Sequence, residues 1–570
     1  MHNRRRLLQS GLAALGYGLS NPMSAFGASA PGARPTWSMP RGFDAGATNP
    51  IQRLNPNSTT ISIEGLPFAP WFTGDDFRDH TTIPFHTPIQ GTLPTPTEDV
   101  DVAVVGGGIS GLAAAYMLRD KQPVVLELRS RFGGNARGEG WRETVYSLGS
   151  AYVITPDKGS FLERFYADLG LDQVKRDSFP PDPMAFGGTI EEKYWSGTGV
   201  TSAELRAFER YGRVVRYMGC EAYPEIPLSG DPADANAVRR LDRRTFREDL
   251  EARMGMALTP LLAAGIQSYF YSSFGAGIDE ISAAAGWNFV AAEEFGRWVF
   301  PGGNSHLAWT LWNGLREEEA AGQPGLSMLR SNCTVFDVRR SGDRYRVTWI
   351  DAHGEAQALT AKYVVMAGSK HICKSILKNL KGIDPEKLDA MHQVETAAYM
   401  VANVLLDAPV TRDFYDVFLI NDQAFPMTPG AFESGSRPVD VLAGNYALPP
   451  STPSTALTLY WPLPWPAARF EILAENAWRT YTTSVADDVR AALTLLNVNE
   501  SAVKQVRLTR WGHALPIAKP FFIADGHAET LLRPFDERVY FANQDNWALP
   551  AVENSLLDAR FVAEEIRARL

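Results

Sequence analysis

The stretch from Asp99 to Gly140, DVDVAVVGGGISGLAAAYMLRDKQPVVLELRSRFGGNARGEG, constrains the fold more than any other part of the chain. Val102–Val105 is a short apolar run suited to a buried parallel strand. Gly106-Gly107-Gly108-Ile109-Ser110-Gly111 follows at once and fits G-x-G-x-x-G. Leu112–Leu118 has a helical pattern, and Val124–Leu128 reads as a second strand with the acid Glu127 near its end. Strand, glycine turn, helix, strand and acid stand in the order that a dinucleotide site needs. Gly106 permits a tight turn, Gly108 lets the backbone approach a pyrophosphate, and Gly111 lets the helix close on the strand. Ile109 and Ser110 begin the helix, whose N-terminus offers N–H groups and a positive dipole end to phosphates. Glu127 is expected to accept hydrogen bonds from the ribose hydroxyls of adenosine.

Beyond Glu127 and Leu128 the chain reads Arg129-Ser130-Arg131-Phe132-Gly133-Gly134-Asn135-Ala136-Arg137. With an acid, then arginines, then a paired glycine after the second strand, it resembles the flavin amine oxidase superfamily of monoamine and polyamine oxidases and phytoene-type desaturases. The resemblance implies FAD as cofactor. It also implies an α/β fold: a Rossmann-type FAD-binding domain, discontinuous in sequence, with a mixed α+β substrate domain. The backbone at Gly133 and Gly134 would run beside the pyrophosphate and flavin, flanked by Arg129, Asn135 and Ala136. Val335 matches the position whose backbone meets the adenine, and Asp545, after a strand at Val539–Ala542, matches an acid against the ribityl and pyrophosphate. Pro550 is then expected to open a helix running to about Arg569. Its N-terminus, near Val552, would lie beneath the flavin N1–C2=O edge and stabilise the charge of reduced flavin.

The motifs divide the 570 residues into pieces. The FAD-binding domain takes 99–155, 298–370 and 505–570, the substrate domain 156–297 and 371–504, and 31–98 form an N-terminal extension. That extension is either a strap over the catalytic body or a linker; its Pro67-Phe68-Ala69-Pro70-Trp71-Phe72 is rich in aromatics. Between the motifs, helices are expected at Phe161–Leu169, Thr201–Met218, Asp242–Met254 (on the surface), His306–Glu318 and Trp478–Leu496. Strands are expected at Met328–Val338, Tyr345–Ile350, Tyr363–Ala367 and Ala397–Leu406.

Residues 1–30 read as a twin-arginine export signal. Arg4-Arg5-Arg6-Leu7-Leu8-Gln9 leads into a mild apolar segment, and small residues follow at Ser24–Ala30. That route carries folded cargo, which suits a protein that acquires FAD before export, and places the mature chain in the periplasm or outside the cell. A net charge of −10 without a basic stripe argues against a nucleic-acid partner. No later stretch holds 18 uninterrupted apolar residues, so no internal membrane span is expected. Cys220, Cys333 and Cys373 form neither a disulfide framework nor a metal pattern; buried free thiols are expected, with one bridge in the periplasm as the alternative.

The resemblance implies hydride removal from a C–N bond of a small-molecule amine, with oxygen or a periplasmic carrier taking the electrons. Many relatives hold a water near flavin N5 with a lysine on a strand matching Ala397–Leu406, and here no lysine lies between Lys387 and Lys504. Thr509-Arg510-Trp511-Gly512-His513-Ala514-Leu515-Pro516 and Ala542-Asn543-Gln544-Asp545 resemble the bacterial spermidine dehydrogenase branch. His513 is a candidate base or substrate ligand, and Trp511 a candidate wall beside the flavin. Two other readings stay open. One is a flavin desaturase or isomerase of an apolar substrate, marked by an apolar tunnel rather than an acidic pocket. The other is a flavin-binding protein without turnover.

Overall fold

The apolar run at Asp99–Val105 is buried from Val102 to Val105 and forms a central strand of a seven-stranded sheet. A computed structural model describes residues 47–75, 93–197, 200–293, 295–322, 327–420, 437–465 and 468–570. The candidate export signal lies outside these residues. The sheet runs Leu329–Arg330, Val124–Leu126, Asp99–Val105, Ala356–Met366, Arg344–Ile350 and Thr334–Ser341, and Val539–Phe541 joins beside Ala356–Met366. Its first four strands and Val539–Phe541 are parallel, and Thr334–Ser341 and Arg344–Ile350 close it as an antiparallel meander. Parallel strands need both faces covered. On one face the glycine-rich helix Ile109–Met117 packs against Ser305–Ala321 and Val552–Arg569 in a core of Leu112, Leu311, Leu556 and Val562. This is a Rossmann-type FAD-binding fold.

A ten-stranded sheet forms the second layer, in the order Thr189–Glu191, Met184–Phe186, Asp416–Leu419, Asp440–Ala443, Thr455–Pro462, Thr396–Leu406, Val503–Pro516, Leu66–Phe68 and Ile61–Ile63, with Thr73–Gly74 also pairing with Val503–Pro516. Helix Ala477–Leu495 buries Trp478, Val485 and Val489 in the same core. Val503–Pro516, expected with the third FAD-binding piece, is instead a strand of this sheet, pairing with Thr396–Leu406 along most of its length. Its Val506 and Leu508 are buried there beside Val404 and Ala402. Residues 47–75 are laid down on the body. Phe68 pairs with Val506, Gly74 with Arg510, and Trp71 stacks on Trp478 with ring centroids 6.5 Å apart.

Several expected elements differ at their ends for local reasons. The strand expected over Met328–Val338 breaks after Arg330, where Asn332 takes a φ of 54° and Cys333 donates its N–H to the Glu127 carbonyl. The helix expected from Asp242 starts at Phe246, where Thr245 and Glu248 form a capping box. Asp242 is buried and accepts from the Ser282 hydroxyl and the Ile523 and Ala524 N–H groups; Phe246, Leu250 and Met254 are core rather than surface. The C-terminal helix begins at Val552 with Ala551 as its cap, so Pro550 precedes it instead of opening its first turn. All three cysteines are buried free thiols. Among the described residues no helix is long and apolar enough to cross a membrane.

Candidate active site

The nucleotide end is built from backbone. Gly111 must lack a side chain, because a Cβ there would stand 1.9 Å from the Gly106 carbonyl oxygen. Gly108 and Gly134 face each other so closely that a Cβ on Gly134, whose φ is 57°, would come within 3.0 Å of the Gly108 Cα. The result is a side-chain-free surface at the start of Ile109–Met117, a helix whose N-terminus has no side-chain cap. Ile109 and Ser110 are buried in its first turn, and Ala136 closes the short turn Gly134–Ala136. Two arginines meet this surface. Arg137 donates to the carbonyls of Gly134 (3.2 Å) and Gly74 (2.8 Å). Arg129 is paired with Asp75, but its buried Nε has no partner. Burial, then the neighbouring Arg137 charge, pulls Arg129 down to about 9. A glycine cradle, an open helix N-terminus and a guanidinium with one unsatisfied N–H fit a pyrophosphate.

Glu127, the candidate ribose ligand, is held by backbone donors. Its Oε2 accepts the Gly107 N–H at 2.7 Å and its Oε1 the Arg129 N–H at 2.9 Å, so the carboxylate ties the glycine turn to the second strand. Burial pushes its pKa up, and the two backbone N–H groups oppose that shift. Leu128 lies between these contacts, half-buried. Val335 is a buried strand residue two positions beyond Cys333, which bonds to the Glu127 carbonyl. Asp545, also buried, accepts the Lys370 N–H at 2.9 Å and so links the crossover after Ala356–Met366 to the C-terminal strand.

A cavity of about 480 Å³ opens between the two layers. At one end stand Asn135, Gly149, Trp511, Gln544 and the helix start at Val552. Asn135 and Gln544 both donate to the Ala514 carbonyl, at 3.2 and 3.0 Å, so the glycine segment, the C-terminal motif and the long strand converge there. Trp511 is buried, with its Nε1–H donating to the Leu148 carbonyl at 2.8 Å and Arg137 over its ring at 5.2 Å. Tyr399 and Tyr460 form the middle wall, edge to face at 5.8 Å, with hydroxyls donating to the carbonyls of Ser272 (3.0 Å) and Gly149 (2.5 Å). Tyr152, Glu293, Asp416 and Phe418 also line the cavity.

His513 does not line this cavity. A bulge sets Ala397–Tyr399 against Trp511–Leu515, so the alternation that would carry His513 to the Trp511 side is broken, and Ala514 and Leu515 reach the wall instead. His513 Nδ1 lies 2.6 Å from the Thr396 hydroxyl, and its ring sits 4.4 Å from that of His371. Burial, then the nearby charges of Arg469, His371 and Lys374, lowers its pKa to about 3, which keeps the imidazole neutral. Residue-by-residue reading missed Tyr399, Glu293 and Asp416, which carry no local motif and meet only through the large sheet.

The sequence pattern of the flavin containing amine oxidoreductases matches residues 109–566. The chain belongs to this family. Like its family, it is an FAD-dependent oxidoreductase. Oxidoreductase PigB of Serratia sp. is 21% identical over 539 residues, covering 84% of this chain and 78% of its own. Nicotine dehydrogenase of Pseudomonas putida is 27% identical over 206 residues, or 34% of this chain and 40% of its own. The flavin-containing amine oxidase of Oncorhynchus mykiss reaches 50% identity, but over only 84 residues, 14% of this chain and 16% of its own. A putrescine oxidase solved with putrescine superimposes with a TM-score of 0.60 at 15% identity, over 83% of this chain and all of that one. Cyclohexylamine oxidase of Brevibacterium oxydans gives a TM-score of 0.57 at 16% identity, over 82% of this chain and all of its own, a likeness of fold.

Proposed function

We propose that this enzyme oxidises an amine at the carbon next to nitrogen, as an exported protein acting outside the cytoplasm. The observation that carries the reading is one cavity lined by Asn135, Trp511 and Gln544, by the tyrosine pair, and by the acids Glu293 and Asp416. FAD, when bound, would accept the hydride that leaves the carbon with both electrons, while the nitrogen loses a proton to water and water hydrolyses the resulting imine. The chain's own residues bind and orient. Tyr399 and Tyr460 are fixed by their hydroxyl hydrogen bonds, so their faces are rigid walls for the carbon–nitrogen unit. Buried aromatic walls disfavour an ammonium charge at the reacting end and favour the neutral amine that can give up hydride. Glu293 and Asp416 in the lining support an amine over an apolar desaturase substrate. The export reading rests on Arg4-Arg5-Arg6 and the small residues up to Ala30.

The test is anaerobic. The purified flavoprotein is mixed with a panel of mono-, di- and polyamines, and bleaching of the visible flavin band is followed. Bleaching by one amine class supports the reading, and admitting air then separates an oxidase from a dehydrogenase. A flavin that no amine bleaches overturns it. Fusion of residues 1–30 to a folded reporter tests export, with loss of export expected when Arg4, Arg5 and Arg6 are replaced by Lys.

A further inference from the structure

We propose that the N-terminal extension is part of the cofactor site, with Asp75 as the positioning residue that holds Arg129 towards the FAD pyrophosphate, so that retention of FAD depends on this extension. This rests on the fit of the Gly108–Gly134 cradle to a pyrophosphate and is independent of the substrate.

The extension grips both walls of the candidate flavin site. Its first part runs along the glycine pair. The Phe132 N–H donates to the Thr48 carbonyl at 3.0 Å and the Gly138 N–H to the Pro50 carbonyl at 3.1 Å. Ile51–Arg53 then pairs in parallel with Gly138–Gly140. Pro50 stands so close that a Cβ on Gly133 would meet it at 3.2 Å. Its second part runs along the strand that carries Trp511, with Phe68 opposite Val506, Thr73 opposite Thr509 and Gly74 opposite Arg510. One continuous stretch of chain therefore staples the segment bearing Asn135 to the strand bearing Trp511, and both residues line the cavity.

At Gly74 and Asp75 the second part meets the two arginines of the cradle. Asp75 pairs with the Arg129 guanidinium through Oδ1 and accepts the Gly512 N–H at 2.8 Å on Oδ2. One residue earlier, the Gly74 carbonyl accepts from Arg137 at 2.8 Å. Both guanidiniums stand over the Trp511 ring, 5.9 and 5.2 Å from its centre. Two like charges gathered on one ring repel each other, and the extension sets a carboxylate against one and a carbonyl against the other. A guanidinium has five donors. Asp75 takes one on Nη2, and the buried Nε of Arg129 stays without a partner. A pyrophosphate oxygen supplies the acceptor that this N–H lacks.

The register of the contact is fixed. Gly74 has a φ of 86°, and a Cβ there would stand 2.3 Å from the Arg510 carbonyl oxygen. The Asp75 N–H donates to that carbonyl at 2.8 Å, and the Arg510 Nε donates to the Asp75 carbonyl at 2.9 Å. Leu66 and Phe68 are fully buried and anchor the segment, whereas Thr73, Gly74 and Asp75 are half-buried. Loosening is therefore confined to the three residues that reach the arginines.

The test follows FAD release from the whole flavoprotein, without substrate, as the rise of flavin fluorescence after dilution. Asp75→Asn keeps an acceptor for the Gly512 N–H and removes the charge. It should release FAD about tenfold faster or more, the worth of one hydrogen bond to a charged group. Asp75→Glu should recover part of that loss. Gly74→Ala keeps the carboxylate but forces the segment off Arg510, and should release FAD as fast as Asp75→Asn. Hydrogen exchange of the wild type stands even where a variant fails to fold. Relative to helix Ala477–Leu495, residues 66–75 should exchange more slowly with FAD bound than after its removal. Release from Asp75→Asn at the wild-type rate overturns the proposal, and so does equal relative exchange with and without FAD. Slower release overturns it as well, by marking Asp75 as a rival of the pyrophosphate for Arg129. Failure of the cradle is distinguishable: Gly108→Ala that keeps FAD removes the cradle reading, whereas loss of FAD there with wild-type release from Asp75→Asn removes the role of Asp75 alone.

Discussion

The Glu127 carboxylate accepts the Gly107 N–H at 2.7 Å across the glycine turn, and the Arg129 N–H at 2.9 Å with its other oxygen. It is therefore a structural clasp of the nucleotide site as well as a candidate ribose ligand. Glu127→Ala leaves two buried donors without acceptors, at about 1–3 kcal/mol each. The expected outcome is a lower melting temperature and purification with little FAD, read from the ratio of flavin to protein absorbance. Glu127→Gln keeps one acceptor oxygen and should fall between wild type and Glu127→Ala.

Gly108 and Gly111 separate folding from cofactor binding. A Cβ at Gly111 would meet the Gly106 oxygen at 1.9 Å, so Gly111→Ala should destabilise the apoprotein itself. At Gly108 the nearest atom to an added Cβ is the Gly134 Cα at 3.7 Å, an ordinary contact. Gly108→Ala should keep the apoprotein fold by circular dichroism and lose FAD, because the methyl fills the surface that the pyrophosphate approaches.

Trp511 and His513 should part company in rate measurements. His513 faces Thr396 and His371, away from the cavity, so His513→Asn should keep the rate of flavin reduction within about threefold of wild type, less than 1 kcal/mol of barrier. Trp511→Ala removes a cavity wall and should slow reduction by about tenfold or more. Trp511→Phe orphans the Leu148 carbonyl and should cost stability of about 1 kcal/mol by denaturant titration.

The raised pKa of Asp440 has a pH signature. The group moves from 3.8 to about 8 because it is buried, so between those values the folded chain holds a proton that the unfolded chain has released. Its contribution is full below pH 3.8 and is lost as pH rises towards about 8. Asp440→Asn, which cannot ionise, should lose less stability than wild type across that window when the denaturation midpoint is followed against pH.

The nucleotide site was legible because its requirements are local. The Gly106–Gly111 turn, Glu127 and the Gly133-Gly134 pair lie within a few tens of residues, and each residue type follows from what backbone must do beside a pyrophosphate. The strand Val539–Phe541 with Asp545 and the helix from Val552 was legible for the same reason. Most of the cavity was not, because Glu293, Tyr399, Asp416 and Asp440 come from separate elements, and only sheet register brings them together. His513 was misplaced by one bulge, which no residue pattern in Thr509–Pro516 announces. Val503–Pro516 hydrogen-bonds within the large sheet while Trp511, Ala514 and Leu515 line the cavity, a placement set by sheet register rather than by any local pattern.

The most direct test of the central claim is the rate of anaerobic flavin reduction in a stopped-flow instrument, using one reducing amine with hydrogen or deuterium on the carbon bearing the nitrogen. Amine oxidation at this site predicts full bleaching and markedly slower reduction by the deuterated amine. Absence of reduction by any amine, or reduction at the same rate with both isotopologues even when the amine concentration is saturating, would contradict hydride removal from that carbon as the rate-setting act of this enzyme.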